Sequence, residues 1–178
     1  MKIRHALAVL SALAFANVAN AGSKTYKIVP GDSKVTFVLT SSLNDIKGES
    51  TELTGAIEFD PASRAASSIL AEVPVETLKT GIDRRDRHMR SEEFLDAVHY
   101  PTAKFISASL EPKGEPVKPG ETMTFVYKGS LEIHGKRVPI EGEATATLTE
   151  DGKTIEGDAR FPVHLPNYEI PVPAFLGI

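Results

Sequence analysis

The chain has 178 residues, no cysteine and a formal net charge of −4. Without cysteine there are no disulfides and no thiolate chemistry, so stability must come from a hydrophobic core, which a chain of this length can bury. The acidic balance and the absence of tryptophan disfavour nucleic acid or an anionic membrane surface as the main partner.

Residues 1–21 have the pattern of a cleavable secretory signal. Lys2 and Arg4 precede an apolar run at 6–16, and Ala-Asn-Ala at 19–21 is a small-x-small cleavage site. The run is shorter than the roughly 20 residues that span a bilayer. Cleavage leaves one predicted domain, 22–178, in which 18 basic residues face 24 acidic ones, a formal charge of −6.

The rest of the chain alternates apolar and polar residues, which is typical of strands with one buried face. A short first strand at 26–29 ends in a Pro-Gly-Asp turn, and the pattern gives about eight strands in all. The economical architecture is a closed meander barrel. The longer predicted strands are 34–40, 55–60, 68–78, 103–110, 121–133, 137–149 and 153–165, and Gly48 suggests a bend or bulge in the further segment 46–53.

Residues 80–105 interrupt this pattern with a dense cluster of charge. Four arginines and a histidine lie within seven positions, which is too much charge for a buried strand. Ser91, followed by two glutamates, is typical of a helix N-cap. The sequence therefore predicts one short helix at 92–98, ending before Tyr100-Pro101 because a residue that precedes proline avoids the helical region.

The same run carries an ordered motif. Its members are Thr80, Arg85, Asp86, His88, Met89, Arg90, Ser91, Glu93, Phe94, Tyr100, Pro101 and Phe105. Together with segments at 32–37, 55–61 and 129–138, this motif resembles the signature of the YceI-like family. The resemblance extends over residues 26–178. It implies a lipocalin-like antiparallel barrel in the bacterial periplasm that holds a long amphiphile, such as a polyisoprenoid or an isoprenoid quinone.

Two predicted strands are joined by the turn Glu150-Asp151-Gly152, which carries an Asp-Gly hairpin signal. Both strands have small residues on their inward faces. Gly142, Ala144 and Ala146 would lie beside Gly157 and Ala159, which leaves room inside the barrel. Alternatively, a large side chain such as Phe37 or Phe125 fills that room. The predicted pocket lining comprises Phe37, Ile57, Phe59, Phe105, Phe125, Leu131, Ile140, Gly142, Ala144, Ala146, Gly157, Ala159 and Phe161.

The arginine cluster allows two interpretations. At a barrel mouth, Arg85 and His88 could contact an anionic head group. Alternatively, the arginines pair with nearby acids, and Arg85 with Asp86 fixes the loop against the barrel.

No catalytic or metal site is predicted, because the histidines lack ligand spacing and no nucleophile elbow or phosphate loop is present. The sequence implies no cofactor beyond a bound long-chain lipid. The alternative function is an envelope accessory or stress-protection protein that acts through its surface and has a filled barrel.

The last segment departs from the family pattern. Residues 166–173 contain three prolines and cannot form a regular central strand. Family members usually continue with one more strand. We therefore predict that the first strand lacks one neighbour, so that the barrel either self-associates as a homodimer through this open edge or belongs to a longer natural chain.

Overall fold

The computed structural model describes residues 22–39, 45–60, 65–114 and 118–172. The predicted signal sequence and residues 173–178 of the tail lie outside this part. Within it, the secondary structure is mainly antiparallel strand with one short α-helix, which confirms the predicted fold class. The described residues contain no helix that is long and apolar enough to cross a membrane.

Nine strands and the helix α1 (Asp83–Met89) follow one another along the described chain. Seven of the strands form one curved sheet in the order β1-β4-β5-β6-β7-β8-β9, and β2 pairs only with β3. The strands are β1 Lys24–Ile28, β2 Val35–Leu39, β3 Ile46–Ser50, β4 Thr54–Asp60, β5 Ala65–Pro74, β6 Thr102–Lys113, β7 Thr122–Ile133, β8 Lys136–Leu148 and β9 Ile155–Ala159.

The seven-stranded sheet curls into a nearly closed barrel. The Tyr26 hydroxyl on β1 donates to the Gly152 carbonyl in the β8–β9 turn, with an oxygen-oxygen distance of 3.1 Å. This bond brings the two ends of the sheet order together at one rim of the barrel. The predicted meander is therefore correct for β4 to β9, whereas β2 and β3 form a separate hairpin instead of barrel strands.

Strand β9 is shorter than the predicted strand at 153–165. It ends at Ala159, and Phe161 and Val163 follow in irregular backbone. Pro162 lies between them and has no amide hydrogen for a sheet ladder, so a regular strand cannot extend through residue 162.

The helix lies earlier than predicted. Residues 92–98 form turns, and the only α-helix in the described chain is α1. Ser91 does not cap a helix that follows it, because its hydroxyl donates to the His88 carbonyl at 2.7 Å and its own carbonyl accepts from the Asp96 amide at 2.9 Å. Both bonds fold the chain back over the C-terminal end of α1.

Three apolar clusters stabilise the fold. One fills the rim near the β8–β9 turn, one lies between the β2–β3 hairpin and the segment after β5, and one closes the opposite end of β7. Each fully buried large side chain contributes about 1.5–3 kcal/mol relative to exposure. Their buried members are, in that order, Phe59, Met123, Phe125 and Leu148; Val73, Val75, Leu78 and Ala97; and Leu131, Tyr168 and Ile170.

Candidate ligand-binding site

The burial of inward-facing side chains differs between the neighbouring strands β7 and β8. On β7, the inward residues Met123, Phe125 and Tyr127 are buried. On β8, the inward residues from 138 to 146 are only partly buried, although they lie directly beside β7 in the register. The inward residues of β8 are therefore less deeply buried than those of β7 beside them.

Three aromatic rings meet in the interior. Phe105 on β6 lies edge-to-face against Tyr127, with ring centroids 5.6 Å apart, and Phe161 lies 6.5 Å from each of them. The Tyr127 hydroxyl donates to the Arg160 carbonyl at 3.3 Å, and burial raises the pKa of Tyr127 above its ordinary value. The ring therefore stays neutral and presents an apolar surface to the interior.

Gly142 does not contribute the open space that the sequence suggested. A Cβ atom at this position would lie 2.7 Å from the Tyr127 hydroxyl oxygen. Gly142 and Tyr127 are directly opposite in the β7–β8 register, so the ring folds over the glycine. The alternative that a large side chain fills this space is correct here, but that side chain is Tyr127, not Phe37 or Phe125.

The other predicted small residues form a strip along β8 and β9. The register places Ala144 opposite Ala159 and Ala146 opposite Gly157, as the turn between β8 and β9 predicted. Ala144 and Ala146 are partly buried, whereas Gly157 and Ala159 are exposed. We refer to these four residues as the small-residue strip.

The remaining predicted pocket residues divide among the three clusters. Phe59 and Phe125 are buried at the rim near the β8–β9 turn, with Ile57 packed against them. Leu131 is buried at the opposite end of the barrel, together with the partly buried Ile140, Phe105 and Phe161.

Phe37 does not lie inside the barrel, where the sequence pattern had placed it. It lies on β2, outside the seven-stranded sheet, and packs against the cluster that contains Val75 and Leu78. Its ring lies against Gly48, the residue opposite it in the β2–β3 register, so any side chain at position 48 would collide with the ring. Gly48 therefore marks close contact with an aromatic ring, not the bend or bulge suggested by the sequence.

Arg85 and Asp86 meet through Thr80. Asp86 is 6% exposed, and its Oδ1 accepts hydrogen bonds from the Thr80 amide at 2.8 Å and the Thr80 hydroxyl at 2.5 Å. Arg85 Nε donates to the same hydroxyl oxygen at 2.8 Å, and its Nη2 donates to the Thr80 carbonyl at 3.1 Å. The predicted direct Arg85–Asp86 pair is thus replaced by a bridge through Thr80, which fixes the start of α1.

The other charged members of the run are held separately. Arg90 Nη2 donates to the Leu78 carbonyl at 2.6 Å, which anchors the end of α1 to the segment after β5. His88 Nε2 lies 3.1 Å from a Glu93 carboxylate oxygen, and both side chains are largely exposed. The loop is therefore held mainly by backbone carbonyls and Thr80, with few of the acid pairs expected from the sequence.

Tyr168 is a core residue that the sequence analysis missed. It is 1% exposed and lies in a 3-10 turn, Leu165–Tyr168, which packs over Leu131. His134 Nδ1 lies 3.0 Å from the Tyr168 carbonyl and joins this turn to the β7–β8 hairpin. The alternation of Tyr168 and Ile170 with polar neighbours was the available signal, but the surrounding prolines suggested a loop.

The described residues contain no group of three or more histidine, aspartate or glutamate side chains arranged to hold a metal ion. What they build is a class of protein in which a curved antiparallel barrel has an aromatic interior and a charged helical loop at one end. A family model described as the YceI-like domain matches residues 26–176. The chain belongs to the YceI-like family.

Sequence relatives come from several bacteria. A UPF0312 protein of Vibrio cholerae is 38% identical over 95 residues, which cover 53% of this chain and 47% of that protein. A UPF0312 protein of Pseudomonas savastanoi is 35% identical over 115 residues, which cover 65% of this chain and 55% of the relative. The chain spans about half the length of the relatives it matches.

Solved structures share the fold. Burkholderia cenocepacia BcnA has a TM-score of 0.61 and 21% identity, covering 84% of this chain and 82% of that one. A polyisoprenoid binding domain from Saccharophagus degradans has a TM-score of 0.58 and 16% identity, covering 78% of this chain and 76% of that one. At these identities the similarity establishes the fold alone.

Proposed function

We propose that this protein binds and carries a long-chain amphiphile, such as a polyisoprenoid or an isoprenoid quinone, inside the barrel. The observation that supports this proposal is the small-residue strip, where Ala144 and Ala146 are only partly covered and Gly157 and Ala159 are exposed on the inner face. A methyl-lined wall beside the rings of Phe105, Tyr127 and Phe161 complements an aliphatic or isoprenoid chain in shape and polarity.

Tail burial alone gives useful affinity. Each methylene group removed from water contributes about 0.8 kcal/mol, so a ten-carbon segment contributes roughly 8 kcal/mol before entropy costs. That free energy corresponds to a dissociation constant of about 1 μM. Arg85 already donates to Thr80 through Nε and Nη2, so the tail carries the affinity, and contacts of Arg85 or His88 with a head group only orient the ligand.

The similarity to the Saccharophagus degradans domain, which is described as polyisoprenoid binding, supports this class of ligand. The secretory pattern at 1–21 supports the further proposal that the protein works in the periplasm. We assign it binding and transport, not catalysis.

The direct test is organic extraction of the protein, purified from the periplasm of its host, followed by mass spectrometry. The proposal predicts a co-purifying long-chain lipid in stoichiometric amount. An empty extract, together with no uptake of a fluorescent isoprenoid, would leave the surface-acting accessory role as the better explanation.

A pair of variants tests the location of the ligand. Ala144→Phe combined with Ala159→Leu fills the small-residue strip and should abolish uptake of the fluorescent isoprenoid without a large loss of stability. Thr145→Phe combined with Asp158→Leu is the matched control, because these exposed neighbours lie on the outer face of the same two strands. Equal affinity in both variants would exclude the strip as the site.

We also propose that two copies associate through the edges of the sheet. In the described chain, the backbone of β1 pairs only with β4, and that of β9 only with β8. Unpaired strand edges invite pairing with another chain. Lys27 on β1 and the acids Glu156 and Asp158 on β9 are exposed, so β1 of one copy is complementary in charge to β9 of the other.

A further inference from the structure

A half-open groove lies outside the barrel, between the β2–β3 hairpin and the segment that precedes α1. Its volume is about 550 Å³. Backbone hydrogen bonds between Glu49 and Lys79, at 2.8 and 2.9 Å, join its two sides and fix their separation. The groove is lined by Thr36, Phe37, Val38, Lys47, Gly48, Glu49, Lys79, Thr80 and Gly81.

The charge of this groove is opposite to that of the whole molecule. Lys47 and Lys79 are exposed and form no ion pair within the described part of the chain. Glu49 is the one acid in the lining, and its carboxylate lies 3.7 Å from Lys34 Nζ. With two lysines and one glutamate, the lining has a formal charge of +1, whereas residues 22–178 carry a formal charge of −6.

Exposed aliphatic side chains accompany these lysines. Val38 is 56% exposed and lies directly opposite Lys47 in the β2–β3 register. Ile82 is 45% exposed and follows Gly81, which lines the groove. Surfaces that bind lipid head groups combine lysines with aliphatic side chains that enter the acyl boundary, whereas a surface that binds soluble anions needs no exposed aliphatic residue.

We propose that this surface, defined by Val38, Lys47, Lys79 and Ile82, docks on a bilayer that contains anionic phospholipids. The lysines contact lipid phosphates, and the two aliphatic side chains enter the interface. The acidic remainder of the molecule is repelled by the same surface, so docking occurs with the groove facing the membrane. The inference goes beyond the proposed function, because it does not require a lipid in the barrel.

The test is flotation of the full mature chain with phosphatidylcholine vesicles that either contain or lack phosphatidylglycerol. Binding should require phosphatidylglycerol and weaken as salt increases. Removing both positive charges in Lys47→Gln combined with Lys79→Gln should lower the partition coefficient about thirtyfold, since each basic residue near an anionic surface contributes a factor of about five.

Lys118→Gln combined with Lys128→Gln is the matched control, because it removes the same charge from exposed positions outside the groove. Unfolding midpoints of all variants would confirm that they remain folded. An equal loss in both double variants would indicate non-specific attraction and overturn the proposal, as would absence of binding to either vesicle type.

Val38→Ser combined with Ile82→Ser should weaken binding at every salt concentration, and unchanged binding would overturn the interfacial contact. Lipid extraction can succeed while vesicle binding fails, so the failures of the two proposals are distinguishable.

Discussion

Thr80 connects a buried carboxylate to an arginine. Its hydroxyl donates to Asp86 and accepts from Arg85 Nε, so the same oxygen atom acts as hydrogen-bond donor and acceptor. Burying a charged group is tolerated only when its hydrogen bonds are satisfied, and Asp86 obtains two of them from Thr80. The threonine that opens the family motif therefore stabilises the fold at the start of α1 and needs no ligand to explain it.

Replacing Thr80 with valine keeps the shape and removes this hydroxyl. We expect Thr80→Val to lower the free energy of unfolding by about 1–3 kcal/mol, because Asp86 and Arg85 each lose a hydrogen bond. Thr80→Ser retains the hydroxyl and should lose much less. Urea denaturation of the three proteins measures the difference, and equal midpoints for the valine and serine variants would contradict the bridging role.

The position of the Tyr127 ring requires a glycine at position 142, because the ring occupies the space where a Cβ atom would lie. We expect Gly142→Ala to lower the free energy of unfolding by about 1–3 kcal/mol, since the added methyl group would overlap the ring. Ala144→Val adds carbon atoms at the next inward position, where the wall is accessible, and should cost less. Thermal melts of both variants check this order, and the reverse order would place the open space at Gly142.

At the level of elements, the β8–β9 turn is the best-predicted feature. Asp151-Gly152 gave a hairpin signal, and the structure closes the turn with a bond from the Thr149 hydroxyl to Asp151 Oδ1 at 2.7 Å and one from the Lys153 amide at 3.1 Å. Local chemistry is sufficient here, because every partner lies within four residues.

The same turn gives a pH-dependent prediction. Hydrogen bonds from Thr149 and the Lys153 amide lower the pKa of Asp151 below its ordinary value of 3.8. The ionised form is thus favoured by folding, so its contribution to stability is present above pH 3.8 and is lost as the pH falls through the lowered pKa.

Asp151→Asn should remove this acid-sensitive component, whereas Asp158→Asn, on the exposed face of β9, should keep it. NMR titration of the Asp151 carboxyl carbon measures the pKa directly. Urea midpoints between neutral pH and strongly acidic pH measure the stability. A pKa at or above the ordinary value would contradict the predicted direction.

The helix shows where local reasoning fails. Ser91 and its glutamates have the composition of a helix start, yet Ser91 is used to close the end of α1. The real helix begins after Ile82, a residue with no capping side chain. Its stabilising contacts come from Thr80 and from the Leu78 carbonyl, which binds Arg90 across the fold. Hydrogen bonds between residues six and twelve positions apart stabilise this helix, and single-residue propensities do not contain them.

In the candidate site, too, local pattern predicted some features, whereas contacts between strands determined others. Alternation correctly placed Phe59, Phe125 and Leu131 on the inner face, because strand periodicity is local. It could not show that Tyr127 covers Gly142, because that contact depends on the rotamer of a residue on the neighbouring strand. It also could not separate Phe37 from the barrel, since a hairpin and a barrel strand share one pattern.

At the scale of the whole molecule, the two ends of the sheet order carry the proposed association of two copies. One side-chain hydrogen bond, from Tyr26, joins β1 to the β8–β9 turn. The free backbone edges of β1 and β9 have no paired strand among the described residues. In a two-fold arrangement, β1 of each copy can pair with β9 of the other, so both open edges are satisfied at once.

We expect sedimentation of residues 22–178 to show a dimer that weakens as salt increases, because Lys27 would lie opposite the acids of β9. Charge reversal in Glu156→Lys combined with Asp158→Lys should favour the monomer, since like charges opposite each other destabilise strand pairing. Adding Lys27→Glu should restore the dimer, which distinguishes a specific β1–β9 contact from a general effect of charge. Glu141→Lys combined with Glu143→Lys, on the exposed face of β8, is the matched control. A monomer at all concentrations, or a dimer that survives the β9 reversal, would show that these edges do not meet.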